Sequence, residues 1–271
     1  NMVQQGLFGE VIHGEGAYIH ELLSGMFGEP QWPTWRWDEN HKSGNPYPTH
    51  GLGPVCWAMN INRGDKMEYL TSMSTDDFLM EAKAKELAAQ NDYYKPMAEM
   101  KYRGNMNTTT VRTTRGKTIM IQHDVSTPHP YDRLHVLTGT KGSCRKYPEP
   151  GKIAFGHDYI SPEKLAELEV QYTPEVVKHI SEVAKIIGGG MDFIMDWRMI
   201  DCLRNGLPLD MDVYDAASWC SITPLSYWSV ANRSNSIDIP DFTGGAWLKN
   251  HPVDLTLRGG GNTNVVEQPK S

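Results

Sequence analysis

The chain has 271 residues, 39% of them apolar, and Lys+Arg 26 against Asp+Glu 33 gives a formal net charge of −7. That balance fits a folded globular protein rather than a disordered one. With no basic block along the chain, it argues against the cationic stripe of a nucleic-acid binder. Asp192, Asp196 and Arg198 interrupt the most apolar stretch, so no run reaches the ~18 residues of a membrane span.

Asn1 to Gly6 reads as the last turn of a helix closing on a C-terminal glycine, so the chain reads as starting inside a longer fold. A strand is expected at 10–20, ending on Tyr18-Ile19-His20. Residues 24–49, rich in Gly, Pro, Asn and tryptophan (Trp32, Trp35, Trp37), read as a long functional loop. Leu52, Val55, Cys56 and Met59 then fall at helical spacing, predicting a helix over 50–62. Short Thr-, Val-, Ile- and Tyr-rich runs at Met67–Ser74, Thr108–Thr114, Lys117–Asp124 and Arg133–Thr140 read as strands, the middle pair a hairpin around Arg115-Gly116. Residues 81–100 form a polar helical insertion.

The last third is helical. Ser161-Pro162-Glu163 and Thr173-Pro174-Glu175 each combine an N-cap, a proline and an acid in the first turn. They start helices over 162–170 and 174–187, the second stopped by Gly188–Gly190. Two more are expected at Asp192–Asn205 and Met211–Asn232, the latter kinked at Pro224. These elements predict an α+β fold, an open and largely antiparallel sheet, in one domain over 1–257 followed by a loose tail over 258–271. No internal repeat is visible.

Cys56, Cys144, Cys202 and Cys220 are far apart, without C-x-x-C, which excludes metal fingers and disulfide scaffolds. There is no G-x-S-x-G, H-E-x-x-H, P-loop or G-x-G-x-x-G between strand and helix. Two clusters stand out, Gly16-Ala17-Tyr18-Ile19-His20 at a strand end and Asn45-Pro46-Tyr47-Pro48-Thr49-His50-Gly51 at a helix mouth. The prolines hold Asn45 and Tyr47 extended, and the positive end of the helix dipole disfavours imidazolium at His50. Tyr47 and His50 can serve as acid and base on one sugar hydroxyl; a packed tyrosine and a capping histidine would look the same. A third cluster, Gln122-His123-Asp124-Val125 with Pro128-His129-Pro130-Tyr131, places His123 and Asp124 on opposite faces of a strand, unsuited to sharing a metal. Tyr131 is a candidate ligand contact or a loop aromatic on the sheet. The loop tryptophans, Trp37 among them, can stack on sugar faces or form a loop core.

At these residues the sequence resembles glycoside hydrolase family 109, within the glucose–fructose oxidoreductase / inositol dehydrogenase (Gfo/Idh/MocA) superfamily. The resemblance runs through Phe8-Gly9-Glu10, Gly14 to His20, Tyr47 to Pro54, Asn60-Ile61-Asn62-Arg63-Gly64-Asp65 and Gln122-His123-Asp124. It continues in Met191-Asp192-Phe193, Asp196-Trp197-Arg198 and Trp228 to Ser234, nearly the whole chain.

The resemblance implies an NAD-dependent α-N-acetylgalactosaminidase. In such enzymes the sugar is oxidised at C3, a base removes the acidified C2 proton, the aglycone is eliminated, water adds and the hydride returns. This differs from the two-carboxylate route of most glycosidases. By match, Tyr18, Tyr47 and His50 are the catalytic acid/base and hydroxyl-contacting residues and Tyr131 a substrate contact; His20 and Trp37 complete the substrate-binding candidates. Related sugar dehydrogenases place an aspartate four residues before the matching histidine, where this chain has Pro46. An NAD-dependent sugar dehydrogenase and a non-catalytic sugar-binding or dimerisation module are the alternatives.

The resemblance also implies that a Rossmann domain, absent from this sequence, binds most of the NAD. The chain would then be the C-terminal domain type, with helices on one sheet face. Homodimers or higher oligomers through the sheet face, a carbohydrate substrate and a periplasmic or exported location follow from the same resemblance.

Overall fold

The computed structural model describes residues 1–32, 34–187 and 190–261. Eight strands form one sheet: β1 (Val11–Ile19), β2 (Met67–Ser74), β3 (Asn107–Thr113), β4 (Thr118–Asp124), β5 (Val136–Gly139), β6 (Ser143–Arg145), β7 (Lys152–Ala154) and β8 (Ile237–Asp238), in the order β7-β6-β5-β1-β4-β3-β2-β8. Every pairing is antiparallel except β1 with β4, which run parallel at the centre. That exception puts the C-terminal ends of β1 and β4 side by side, Tyr18 against His123.

Alternation along the strands decides which face is covered. Leu70, Val111, Ile119 and Ile121 point to one side and pack with Val55, Cys56, Trp219 and Ile222. Those four belong to helices α1 (Thr49–Ala58) and α6 (Val213–Ala231). Helix α3 (Pro162–Tyr172) continues this layer, with Leu168 packing against Phe8 and Ile153. On the opposite face Glu15 is partly exposed, and Thr110 and Arg112 are exposed. The sheet is therefore open on one side, as expected of this fold class.

Helix α1 stops at Ala58, short of the predicted 62, because Asn60 and Asn62 adopt left-handed backbone (φ 55 and 66). Asparagine tolerates that region better than most residues. The turn aims Arg63 at Asp215 in a buried bidentate pair (2.8 and 2.7 Å). The strand expected over Arg133–Thr140 is shorter as well: Leu134 and His135 are left-handed (φ 58 and 48), and regular pairing starts at Val136. Strands β6, β7 and β8, three residues or fewer each, carry too little pattern to be read in advance.

The insertion after β2 is α2 (Met80–Gln90) followed by a 3-10 stretch, Asp92–Glu99, broken at Asn91. It packs Met80, Ala84 and Tyr94 against Met26, Phe27 and Tyr18. Helices α4 (Glu175–Ile187) and α5 (Met191–Asn205) match their expected spans; of the predicted Gly188–Gly190 stop, Gly188 and Gly189 lie outside the described residues. Helix α6 continues through Pro224 to Ala231, and Ser229 fixes it to the sheet by accepting from the Ser72 amide (2.9 Å). The first residues form the expected glycine-closed turn: Leu7 N donates to Met2 O and Gly6 N to Val3 O, with Gly6 at φ 76. Residues 258–261, expected to be loose, are held: Arg198 donates to Gly259 O (2.7 Å) and Gly261 N to Leu209 O. The rest of the expected tail, 262–271, lies outside the described residues. No helix among the described residues is long and apolar enough to cross a membrane.

Candidate active site

The C-terminal end of β1 delivers Tyr18 and His20, and the N-terminal turn of α1 delivers His50. Tyr47 sits just before that turn. Its backbone amide donates to Asn45 Oδ1 (3.3 Å), and Asn45 N donates to Ser226 Oγ in α6 (2.8 Å). The Asn-Pro-Tyr-Pro segment is thereby anchored to the helix layer. Asp124, ending β4, accepts from the amides and hydroxyls of Ser126 and Thr127 and tightens the following turn. The chain then returns to pair Asp132 with Ile19, leaving Tyr131 beside His20.

These elements bring together five of the six residues named from the sequence. Tyr18, 7% exposed, is the hub. Its ring centroid lies 4.7 Å from Tyr47, 5.0 Å from His50, 4.8 Å from His20 and 6.0 Å from Tyr131. Tyr47 and His50 are 4.7 Å apart, His20 and Tyr131 5.0 Å. Trp37 is not part of this group. Its ring packs on His41 (4.9 Å), Phe27 and Tyr102. The segment Trp35–His41 is a 3-10 helix, in which residues two apart point to different sides. It is Trp35 that meets Tyr47, at 6.1 Å.

The electrostatics set a proton acceptor beside a proton donor. Burial lowers the pKa of His50, and the cations Arg133 and Arg36 push it further down. His20 is lowered by burial and Arg36. Burial and the neighbouring Tyr18 raise the Tyr47 phenol, Arg36 partly opposing them. At neutral pH His50 is therefore uncharged with a free lone pair, while Tyr47 keeps its proton.

Sequence reasoning passed over the arginines. Arg36 lies over both Trp35 (4.2 Å) and Tyr47 (5.9 Å), and Arg133 Nε donates to the Tyr131 hydroxyl. Beneath Tyr18, His123 stacks at 6.2 Å and 17° and is 1% exposed. Among the described residues its two ring nitrogens find no hydrogen-bond partner, nor do Arg103 Nε and Nη2, Asn45 Nδ2, His20 Nε2 and Arg36 Nη1. The only hint in the sequence was an arginine between two tryptophans. His123 and Asp124 do face opposite ways, the one toward Tyr18 and the other into its turn.

The chain's fit to a dinucleotide is poor. The two direct strand-to-helix passages, Thr75–Leu79 and Phe155–Ser161, hold a single glycine, Gly156. Both helix starts are already capped by this chain: Asp77 accepts from the amides of Leu79, Met80 and Glu81, and Ser161 from Lys164 N. A pyrophosphate at either start would have to displace a cap that the chain itself supplies. A separate apolar cavity of about 890 Å³ between α1, α3 and β5–β7 includes His135 in its wall, and His135 Nε2 lies 3.4 Å from His50 O.

Residues 1–249 match the family model for the C-terminal domain of glycosyl hydrolase 109. The chain belongs to glycoside hydrolase family 109. It is 48% identical over 263 residues to an α-N-acetylgalactosaminidase of Bacteroides fragilis, covering 93% of this chain and 61% of that one. A family 109 protein of Shewanella putrefaciens is 46% identical over 268 residues, covering 94% and 57%. This family 109 chain thus spans about three-fifths of the length of the curated relatives it matches.

Among solved structures the fold resembles levoglucosan dehydrogenase in complex with NADH (TM-score 0.57, 12% identity, 89% of this chain and 62% of that one). It also resembles scyllo-inositol dehydrogenase of Lactobacillus casei with NAD(H) and scyllo-inositol (TM-score 0.51, 10% identity, 88% and 59%). At such identities the likeness establishes the fold alone, one shared with these two dehydrogenases.

Proposed function

We propose that this chain is the sugar-holding part of an NAD-dependent α-N-acetylgalactosaminidase. The observation that carries the reading is the pairing of neutral His50 with protonated Tyr47 at the edge of Tyr18. The name of the Bacteroides fragilis relative supports the substrate. Tyr18, His20 and Tyr131 line the side of the site away from Trp35 and bind the sugar by ring faces and hydroxyls.

When bound, the dinucleotide supplies a reversible oxidation at the sugar's C3 that makes the C2 hydrogen acidic. His50 takes that proton. The electron pair left behind forms the C1–C2 double bond as the C1–O bond breaks, and the departing oxygen receives a proton from Tyr47. Water then adds across the double bond, its hydroxyl to C1 with its proton restoring Tyr47, while the proton held by His50 goes to C2; return of the hydride to C3 would close the cycle with no net oxidation. The self-capped helix ends of this chain argue that the pyrophosphate is held by other residues of the protein.

The test is hydrolysis of an aryl α-N-acetylgalactosaminide in D2O by a protein containing this chain together with a dinucleotide-binding domain. Deuterium at C2 of the released sugar is the expected result. Release without exchange at C2 would rule out the elimination route. Net accumulation of NADH on free sugar, with no glycoside cleavage, would make the protein a plain dehydrogenase.

A further inference from the structure

We infer that Trp35 forms a second sugar subsite, one that holds the pyranose ring attached to the scissile bond on its leaving side. The inference rests on the proposed glycosidase reading and extends it from the cleaved sugar to its aglycone.

Trp35 is 58% exposed, an apolar surface that is costly to leave in water. It is not a mobile ornament of the loop. Thr34 caps its 3-10 turn by accepting from Arg36 N (3.3 Å), and the Arg36 guanidinium lies 4.2 Å above the indole. That cation covers one face and fixes the ring's orientation. The other face is left toward solvent.

Tyr131, Tyr18, Tyr47 and Trp35 make a row, with neighbouring ring centroids separated by 6.0, 4.7 and 6.1 Å. His50 lies against the two middle rings. A sugar opposite His50 and Tyr47 therefore has Tyr131 on one flank and Trp35 on the other. A bond broken at His50 and Tyr47 places its leaving group one ring further along, at Trp35. A galactopyranose offers a patch of C–H bonds on one ring face, suited to the free indole face.

Calorimetry on this chain tests the inference with two probes, N-acetylgalactosamine and the disaccharide N-acetylgalactosaminyl-α-1,3-galactose. The expected result is that the disaccharide binds about tenfold more tightly, the increment of one well-placed aromatic contact. Trp35→Ala removes that increment and leaves the monosaccharide affinity unchanged, while Trp35→Phe restores part of it. Equal affinity for both probes in the unaltered chain would overturn the subsite while leaving the glycosidase reading in place. So would equal weakening of both by Trp35→Ala, which would assign Trp35 to the wall of the first sugar. Binding of neither probe would overturn the glycosidase reading, and the subsite with it.

Discussion

Gly16 and Gly51 touch through their backbones. A Cβ on Gly16 would lie 2.3 Å from the Gly51 carbonyl oxygen, and one on Gly51 would lie 2.3 Å from Ala17 N. This contact sets α1 directly on β1, so that His50 reaches Tyr18. Gly51→Ala is expected to push the helix N-terminus off the strand, since backbone cannot yield as a flexible side chain can. We expect a loss of about 1–3 kcal/mol in stability, typical of overpacking, and a larger proportional loss in sugar affinity. Denaturant unfolding with sugar titration on the same variant checks both. Normal affinity would show that the site does not depend on this approach.

Tyr47→Phe removes the phenol proton and keeps the ring. Sugar binding should weaken by about tenfold, the value of one hydrogen bond, with turnover falling much further. His50→Ala should abolish turnover. Because the His50 pKa lies below its ordinary value, the acid limb of the pH–rate profile belongs below about 6.5. The raised Tyr47 pKa keeps the alkaline limb above about 10. A rate profile with an acid limb above 7 would assign the base elsewhere.

His123 links pH to stability. Burial drives its pKa well down, with Arg103 and Arg36 adding to the effect. The unfolded chain therefore binds a proton that the folded chain refuses. Stability is full above the unfolded value of about 6.5 and falls as pH drops below it toward the folded value. His20, His50 and His135 shift in the same direction. His123→Asn should flatten part of this slope below about pH 6.5, as read from urea midpoints. An unchanged slope would mean that His123 titrates normally.

Arg63 and Asp215 are each 1% exposed at the side chain and paired at 2.7 Å. Asp215→Ala leaves the guanidinium buried without its carboxylate and should cost about 3–5 kcal/mol. Replacing both residues with well-packed apolar side chains should cost far less. Thermal unfolding of the single and double variants separates charge burial from loss of packing.

A calorimetric titration of this chain with NAD should show no binding up to about 1 mM, corresponding to less than about 4 kcal/mol. The reason is that Asp77 and Ser161 already occupy the helix starts that follow strands. Micromolar binding would reveal a dinucleotide seat among residues assigned here to the sugar side.

Much of this was legible in the sequence. The amphipathic stripe over α1, the alternating runs of β2 to β4 and the proline-marked starts of α3 and α4 are dictated by spacing within a few residues, and each formed where expected. Tyr18, Tyr47, His50, His20 and Tyr131 could be named because they sit beside backbone punctuation, the prolines and glycines that fix where a chain turns. Only the tertiary structure decided the rest. That Trp35 and not Trp37 meets Tyr47 depends on a 3-10 turn whose pitch no local pattern announces. The placing of His123 under Tyr18 depends on β1 pairing in parallel with a strand about 100 residues away. The arginines around the site act through burial and distance. Both are properties of long-range packing, where segments that carry no signal for one another in sequence come to share one low-dielectric pocket.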